Sequence, residues 1–282
     1  MSSQQIKSYC IIGDPVQHSL SPIMQNSAFL ALGIKSSYFS FRVPSSDLKE
    51  SIESLKAIGI AGFNVTIPHK ISILKFLDKL DKTAIKTHAV NTVKNDEGKL
   101  TGYNTDLYGF IKPLYERKVN FQGLKVLIIG AGGAAYAIMT ALSNEKGISE
   151  VIVVNRSLPN TLKLVKHGLN LGLNCHGENF NNLSTFTLHA DLIINATSIG
   201  LNDENSPIEQ DYIKPDCIVY DIIYKPVYTD LLRKAKKANA TIIFGYEMLI
   251  AQGAQAFEIW TGLEAPVNAM KKALFGIFGD PV

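Results

Sequence analysis

Two side chains able to move a proton, Lys70 and Asp106, stand in short polar clusters, Asn64-Val-Thr66-Ile-Pro-His-Lys70 and Asn104-Thr-Asp106. Each cluster directly follows a run of strand-forming residues. Such a pair suits a reaction in which a proton leaves or reaches an oxygen while another agent carries the electrons. A lysine at a helix start is ordinarily only a solvated charge. Its solution pKa of about 10.4 must fall through desolvation or a cationic neighbour before it serves as a base near neutrality, and an adjacent aspartate opposes that shift. On residue types alone the pair is a candidate for this chemistry, and its division of labour is left open. A third polar cluster, His18-Ser19-Leu20-Ser21-Pro22, offers two hydroxyls where a helix begins. Ser21 before Pro22 reads as a serine N-cap, and the anion-attracting helix end makes Ser19 and Ser21 candidates for holding a carboxylate.

The electron-carrying partner is suggested further along. Val126 to Ile129 is a short branched apolar run that opens into Gly130-Ala-Gly132-Gly133-Ala134-Ala135 and then an Ala-rich stretch to Leu142. This is strand, glycine turn, helix: the arrangement that lays a dinucleotide pyrophosphate on a helix N-terminus. Gly130 allows the tight turn, Gly132 lets backbone N–H groups approach the phosphates, and Ala135 permits close packing of helix on strand. The second strand of such a unit selects the nucleotide. Here it ends in Asn155-Arg156-Ser157, with arginine where an acid would bind the ribose of NAD, so NADP is expected.

The elements that must position these groups can be read from periodicity. Tyr9–Ile12, Ser37–Val43 and Phe63–Ile67 read as strands, with helices from Ser21 to Leu32 and from Asp47 to Ile58, and Pro68-His69-Lys70 opening a further helix. Ala89–Val93 and Leu100–Tyr103 form a hairpin about Asn95-Asp-Glu-Gly98, and a helix follows Asp106. From Gly123 to Gly245 the strands Val126–Ile129, Val151–Asn155, Leu192–Ala196, Ile218–Ile223 and Thr241–Phe244 alternate with helices, which predicts a doubly wound parallel sheet. Gly168 to Thr187 is poorly patterned, and its strand is not placed. Met248 to Trp260 reads as a helix. The expected fold is α/β with two domains and the active site in the cleft between them. Residues 1–106 form a substrate domain completed by 246–282, and 107–245 form a Rossmann-type nucleotide domain.

Composition narrows the class. A hydrophobic content of 46% with 19% charged residues fits a globular protein, and a net charge of +3 without a basic run points away from nucleic acid. The opening Met-Ser-Ser-Gln-Gln-Ile-Lys lacks the apolar core of a signal peptide, and no apolar run reaches membrane-spanning length. Cys10, Cys175 and Cys217 are few and far apart, which fits reduced core thiols in a cytoplasmic enzyme with no metal site.

Taken in order, these segments resemble the shikimate dehydrogenase family over essentially the full length. The matching stretches are Gly13 to Pro22, Gly62 to Lys70, Ala89-Val-Asn91-Thr, Gly102 to Asp106, Gly130 to Ala135, Asn155-Arg156, Asn195-Ala-Thr-Ser198, Asp221-Ile-Ile-Tyr224-Lys-Pro226, Gly245-Tyr-Glu-Met248 and Gln252. The resemblance implies reversible NADPH-dependent reduction of 3-dehydroshikimate to shikimate, a step of aromatic amino-acid biosynthesis. Lys70 and Asp106 would be the catalytic pair, Ser19 and Ser21 the carboxylate site, and Thr66, Asn91, Tyr224 and Gln252 the partners of the ring hydroxyls. Gly130, Gly132, Gly133, Ala134, Asn155, Arg156, Ser157, Thr197, Ser198, Gly245 and Met248 would surround the cofactor. Asn160 stands where many NADP-using members carry a second basic residue, and Tyr136 replaces an arginine common in the glycine-turn helix. Alternative readings are a quinate or dual quinate/shikimate dehydrogenase using NAD or NADP, or a nucleotide-binding regulator that lost catalysis. A monomer or homodimer is expected.

Overall fold

The chain is described by a computed structural model covering residues 6–201 and 205–278. The opening Met-Ser-Ser-Gln-Gln and the last four residues of the expected 246–282 segment lie outside the described residues. The chain divides into two units, Met1–Asp106 with Ile250–Val282, and Leu107–Leu249.

In the first unit, β1 (Lys7–Gly13), α1 (Ser21–Ala31), β2 (Ser36–Arg42), α2 (Leu48–Ala57), β3 (Gly62–Val65), β4 (Lys79–Leu80), α3 (Lys82–Thr87), β5 (Thr92–Asp96) and β6 (Lys99–Tyr103) follow one another. The sheet order is β2-β1-β3-β5-β6-β4. Pairing is parallel except where β5 runs against β3 and β6. The β5–β6 turn bears out the expected hairpin. Glu97 and Gly98 take φ of 53° and 89°, and Asn95 Oδ1 accepts the Gly98 N–H at 2.8 Å. Cys10, Ile12, Phe63 and Val65 join Leu48, Ile52 and Leu55 of α2 in one buried cluster. An aromatic layer also fills the unit: Tyr9 stacks on Phe29 at 5.1 Å and meets Trp260 at 5.2 Å, and Phe29 meets Phe257 at 5.3 Å. Trp260 also donates to Val93 O at 2.9 Å, and any side chain at Gly62 would strike its ring.

The helix α4 (Asp106–Glu116) leads into the second unit. There β7 (Lys125–Ile129), α5 (Gly133–Leu142), β8 (Glu150–Asn155), α6 (Leu158–Asn170), β9 (Cys175–Asn179), α7 (Leu183–Thr187), β10 (Leu192–Asn195), β11 (Ile218–Asp221), α8 (Asp230–Lys237) and β12 (Thr241–Ile243) succeed one another. The helices α9 (Gly245–Thr261) and α10 (Val267–Phe278) return to the first unit. The sheet β9-β8-β7-β10-β11-β12 is parallel throughout, the doubly wound order whose direction of growth reverses between β7 and β10. Both faces are covered, as runs such as Val-Leu-Ile-Ile require. Val126, Ile128 and Val153 pack with Phe110, Ile138 and Met139, whereas Leu127, Ile129 and Val154 pack with Leu231, Leu232 and Ala235.

Several readings of the sequence are corrected. Pro68-His69-Lys70 does not open an α-helix; a turn leads to one short 3-10 segment, Ser72–Phe76. Ser21 is not a cap, because Leu20 holds that position and Ser21 already lies in α1. The missing third strand is β9, Cys-His-Gly-Glu-Asn, which pairs with β8 alone. Its edge position asks for little burial, so no apolar run announced it. Short β4 and α3, and the terminal α10, were not read from the sequence.

Candidate functional site

The first unit gathers its polar side chains at one edge of its sheet, beyond the C-terminal ends of parallel β1, β3 and β6 and beside the start of reversed β5. That edge is where open α/β sheets bind ligands. Thr66 to Lys70 leave β3 there, Asn91 enters β5, and Asp106 follows β6 as the first residue of α4. The Lys70 carbonyl accepts from Val90 N–H at 2.8 Å, tying the two segments together. His69, fully buried, is bonded through Nε2 to Val43 O at 2.6 Å, which anchors the turn one residue before Lys70.

Lys70 Nζ donates to Asp106 Oδ2 at 2.5 Å, with the side chains 21% and 10% exposed. The other oxygen, Oδ1, accepts from Asn91 Nδ2 at 2.8 Å. Asn91 Nδ2 and Thr105 Oγ1 each approach Gln252 Oε1 at 3.5 Å, which brings α9 to the same spot. Thus Lys70, Asp106, Asn91 and Gln252 converge. The ammonium can exchange a proton with an oxygen set beside it, while a carboxylate with both oxygens engaged fixes where that exchange takes place. Ser19 Oγ accepts the Ser21 N–H at 3.3 Å, a bond of the turn that leads into α1. Thr66, at the end of β3, abuts Gly13 so tightly that a Cβ on that glycine would lie 2.3 Å from Thr66 Cγ2.

The second unit presents a different kind of edge. Gly130 has φ of +109°, and a Cβ there would meet Ala196 O at 2.8 Å, so the chain itself demands this glycine. Gly132 and Gly133 differ: a Cβ at either meets nothing within 4 Å. Gly132 is in extended backbone and Gly133 in the helix, so neither conformation calls for glycine. Among the described residues nothing lies within 4 Å of a side chain placed at either. The open space lies at the N-terminus of α5, whose first turn carries no acid, and a pyrophosphate fits it. Asn155, Arg156 and Ser157 end β8 and lead into α6, which also begins without an acidic residue. Arg156 is exposed, and among the described residues nothing bonds its guanidinium, leaving it available to a phosphate. Of the two departures noted above, Tyr136 lies 5.1 Å from the His167 ring and Asn160 is exposed on α6.

Thr197 and Ser198 follow β10, and the stretch to Tyr224 follows β11. Both loops are held by a cluster built on buried Asn195, Asp221 and Thr229. Asn195 Oδ1 accepts from Thr197 Oγ1 at 2.6 Å, and Asn195 Nδ2 donates to Asp221 Oδ1 at 3.1 Å. Asp221 also accepts from Ile223 N–H at 3.1 Å and from Thr229 Oγ1 at 2.7 Å. Burial pushes the Asp221 carboxyl up to about 6, opposed by these three donors. Burial also raises the Tyr224 phenol. A Cβ at Gly245 would lie 2.5 Å or less from the Ile222–Ile223 backbone, so this glycine has a packing role of its own. Met248 is 8% exposed and belongs to the core of the second unit.

The sequence reading gave no role to the side chains behind these edges: Tyr38, Thr92, Thr105, Asn195 and Thr229. The available signal was polar residues inside apolar strand runs, as in Gly-Phe-Asn64-Val and Leu-Ile-Ile-Asn195. A buried amide there must find partners, and so marks a network.

Residues 11–93 match the shikimate dehydrogenase substrate binding domain, 114–205 the shikimate / quinate 5-dehydrogenase domain, and 245–275 the shikimate 5'-dehydrogenase C-terminal domain. The shikimate dehydrogenase (NADP(+)) of Nitrosopumilus maritimus is 48% identical over 272 residues, covering 96% of this chain and 99% of that one. A solved shikimate dehydrogenase in complex with NADP+ superposes with a TM-score of 0.89 at 40% identity, covering 98% of this chain and 96% of that one. The shikimate 5-dehydrogenase of Listeria monocytogenes, solved with shikimate and NAD, gives 0.88 at 35% identity, covering 96% of each chain.

Proposed function

The chain belongs to the shikimate dehydrogenase family, and from that premise we propose that it catalyses the reversible NADP-dependent reduction of 3-dehydroshikimate to shikimate. The observation that carries this reading is the Lys70–Asp106 pair, held on its far side by Asn91 and reached by Gln252. A nicotinamide cofactor, when bound, supplies or accepts the hydride. Lys70 Nζ gives a proton to the carbonyl oxygen in reduction and takes it from the hydroxyl in oxidation, while Asp106 keeps Nζ in place. Asn91, Gln252, Thr66 and Tyr224 are neutral hydrogen-bonding groups of the kind a polyol ring needs, and Ser19 and Ser21 take its carboxylate.

For the cofactor, the open space over Gly132 and Gly133 and the N-terminal N–H groups of α5, including that of Ala134, suit the pyrophosphate. Arg156, with Asn155 and Ser157, suits a 2′-phosphate. Thr197, Ser198, Gly245 and Met248 complete the cofactor set. We further take the enzyme to be cytoplasmic, a monomer or homodimer, with a small molecule and no nucleic acid as its partner. Its three cysteines are free and buried, and among the described residues no helix is long and apolar enough to cross a membrane and no metal-binding cluster occurs.

The test is cofactor reduction followed by absorbance with purified protein, crossing shikimate and quinate with NADP and NAD. Turnover confined to shikimate with NADP is the expected result. Comparable turnover with quinate or NAD would move the assignment to the dual-specificity branch. Folded protein inactive with all four pairs would leave the regulator reading.

A further inference from the structure

Behind the Lys70–Asp106 pair, a file of buried side chains runs across the sheet of the first unit. The Tyr38 hydroxyl on β2, 1% exposed, donates to Asn64 Oδ1 on β3 at 2.6 Å. Asn64 Nδ2 donates to Thr92 Oγ1 at the start of β5 and to Asn91 O, both at 3.0 Å. Thr92 Oγ1 in turn donates to Asn91 Oδ1 at 3.0 Å, and Asn91 Nδ2 donates to Asp106 Oδ1 at 2.8 Å.

The direction of this file is fixed by the backbone. Thr105 N–H reaches Asn91 Oδ1 at 2.8 Å, so the other end of that amide must be its NH2 group, facing Asp106. Asn91 O likewise requires the NH2 of Asn64, which turns the Asn64 oxygen toward Tyr38. Both amides therefore point their donors toward the carboxylate, and with the Thr92 hydroxyl donating to Asn91 Oδ1 rather than to Thr105 Oγ1, 3.2 Å away, each bond of the file polarises the next. Tyr38 also neighbours Ser21. Complete burial raises its phenol well above the ordinary value, the Cys10 thiol adds to this, and a hydrogen bond from the Ser21 side chain opposes it. The file thus begins beside the hydroxyl assigned above to the substrate carboxylate and ends at the proton-transferring pair.

We propose that Tyr38, Asn64 and Thr92 are positioning residues for catalysis, a one-way hydrogen-bond relay that holds the Asn91 amide against Asp106 and so holds Lys70 at the reacting oxygen. The inference rests on the assignment of Lys70 and Asp106 made above. It requires that removing a hydroxyl to which no substrate contact is assigned slow the chemical step while cofactor binding stays intact. Without the Thr92 hydroxyl, Asn91 Oδ1 keeps its Thr105 donors but Asn64 Nδ2 loses an acceptor, and the link between the two amides is cut.

The experiment compares Thr92→Val, which keeps shape and removes the hydroxyl, with Thr92→Ser, which restores it, and with Tyr38→Phe. For each, kcat and KM for shikimate and NADP are measured beside a thermal melt. The expected result is a fall in kcat on the order of tenfold for Thr92→Val with KM for NADP unchanged, most of it regained in Thr92→Ser, and a smaller fall of the same kind for Tyr38→Phe. A Thr92→Val protein that melts at lower temperature yet keeps kcat within about twofold of the parent would overturn the relay and leave a structural role only. Should Thr92→Val fail to melt cooperatively, Tyr38→Phe decides, and unchanged kcat there overturns the proposal. A parent enzyme inactive on shikimate overturns the functional reading and the relay's purpose with it. An active parent with indifferent variants overturns the relay alone.

Discussion

At the edge of the first sheet, Asp106 has Lys70 on one oxygen and Asn91 on the other, with a buried file of amides and hydroxyls behind them. At the edge of the second, Gly132 and Gly133 face open space, and the groups on offer are backbone N–H donors. Two α/β sheets, the first mixed and the second parallel, have thus been finished in opposite ways at their strand ends. A proton transfer needs side chains whose positions are set before the substrate arrives, so its site is crowded and mutually bonded. A pyrophosphate is common to many reactions and asks only for a helix end and room, so its site is made by leaving side chains out. The second unit does contain a carboxylate in a side-chain cluster, but among the described residues Asp221 bonds only neutral donors, Asn195, Thr229 and the Ile223 N–H, and ties loops together.

The sharpest way to break this contrast is Lys70→Ala. Turnover should fall by about a thousandfold with NADP binding unaltered by calorimetry, and a loss of cofactor affinity instead would deny the first site its separate role. Asp221 sharpens the contrast through pH. Its folded carboxyl holds a proton up to about 6, against about 3.9 when unfolded. Folded protein therefore binds the proton more tightly, and stability from this group is present at low pH and lost as pH rises from about 4 to about 6, by about 3 kcal/mol. Between pH 4.5 and 7.5, urea unfolding should show wild type losing about 2 kcal/mol more stability than Asp221→Asn, and identical pH dependence would refute it.

The glycine turn offers a paired test inside one hexapeptide. Gly130→Ala should cost about 2 kcal/mol of stability, because its φ is left-handed and Ala196 O blocks a Cβ. Gly132→Ala should leave the melting temperature of the free protein unchanged and weaken NADP binding. Equal melting temperatures for the two variants would remove the distinction between a glycine the fold needs and one the ligand needs. The smallest effect is expected of Arg156→Ala, about a tenfold rise in KM for NADP with KM for NAD unaltered.

The same contrast governs what could be read from sequence. Gly130 to Ala135 and Asn155-Arg156 are contiguous, so spacing alone pointed to the nucleotide edge. Most strands of the second unit were equally plain, since burial on both faces demands unbroken apolar runs such as Leu192 to Ile194. The edge strand β9 escaped because it is partly exposed and reads Cys-His-Gly-Glu-Asn. Lys70 and Asp106 were found as reactive types in polar clusters, but what holds them is assembled from β2, β3 and β5, and hydrogen-bond partners 26 to 28 residues apart leave no periodic trace. The start of α1 was misjudged by one residue for a related reason: Ser19 and Ser21 are chemically equal candidates, and only backbone geometry shows that Leu20 holds the cap position.

The placement of Trp260 has a consequence for how the chain comes into being on the ribosome. Its indole bonds Val93 O, 167 residues earlier, and its ring fills the space that Gly62 leaves empty. At synthesis rates of about 5–20 residues per second, the nascent first sheet waits roughly 8 to 30 s for the residue that closes its aromatic layer. The nucleotide unit, contiguous from Leu107 to Leu249, emerges whole in that interval. The half of the protein translated first is therefore the last to be completed, and a chain stalled before α9 would carry an unfinished sheet beside a finished one.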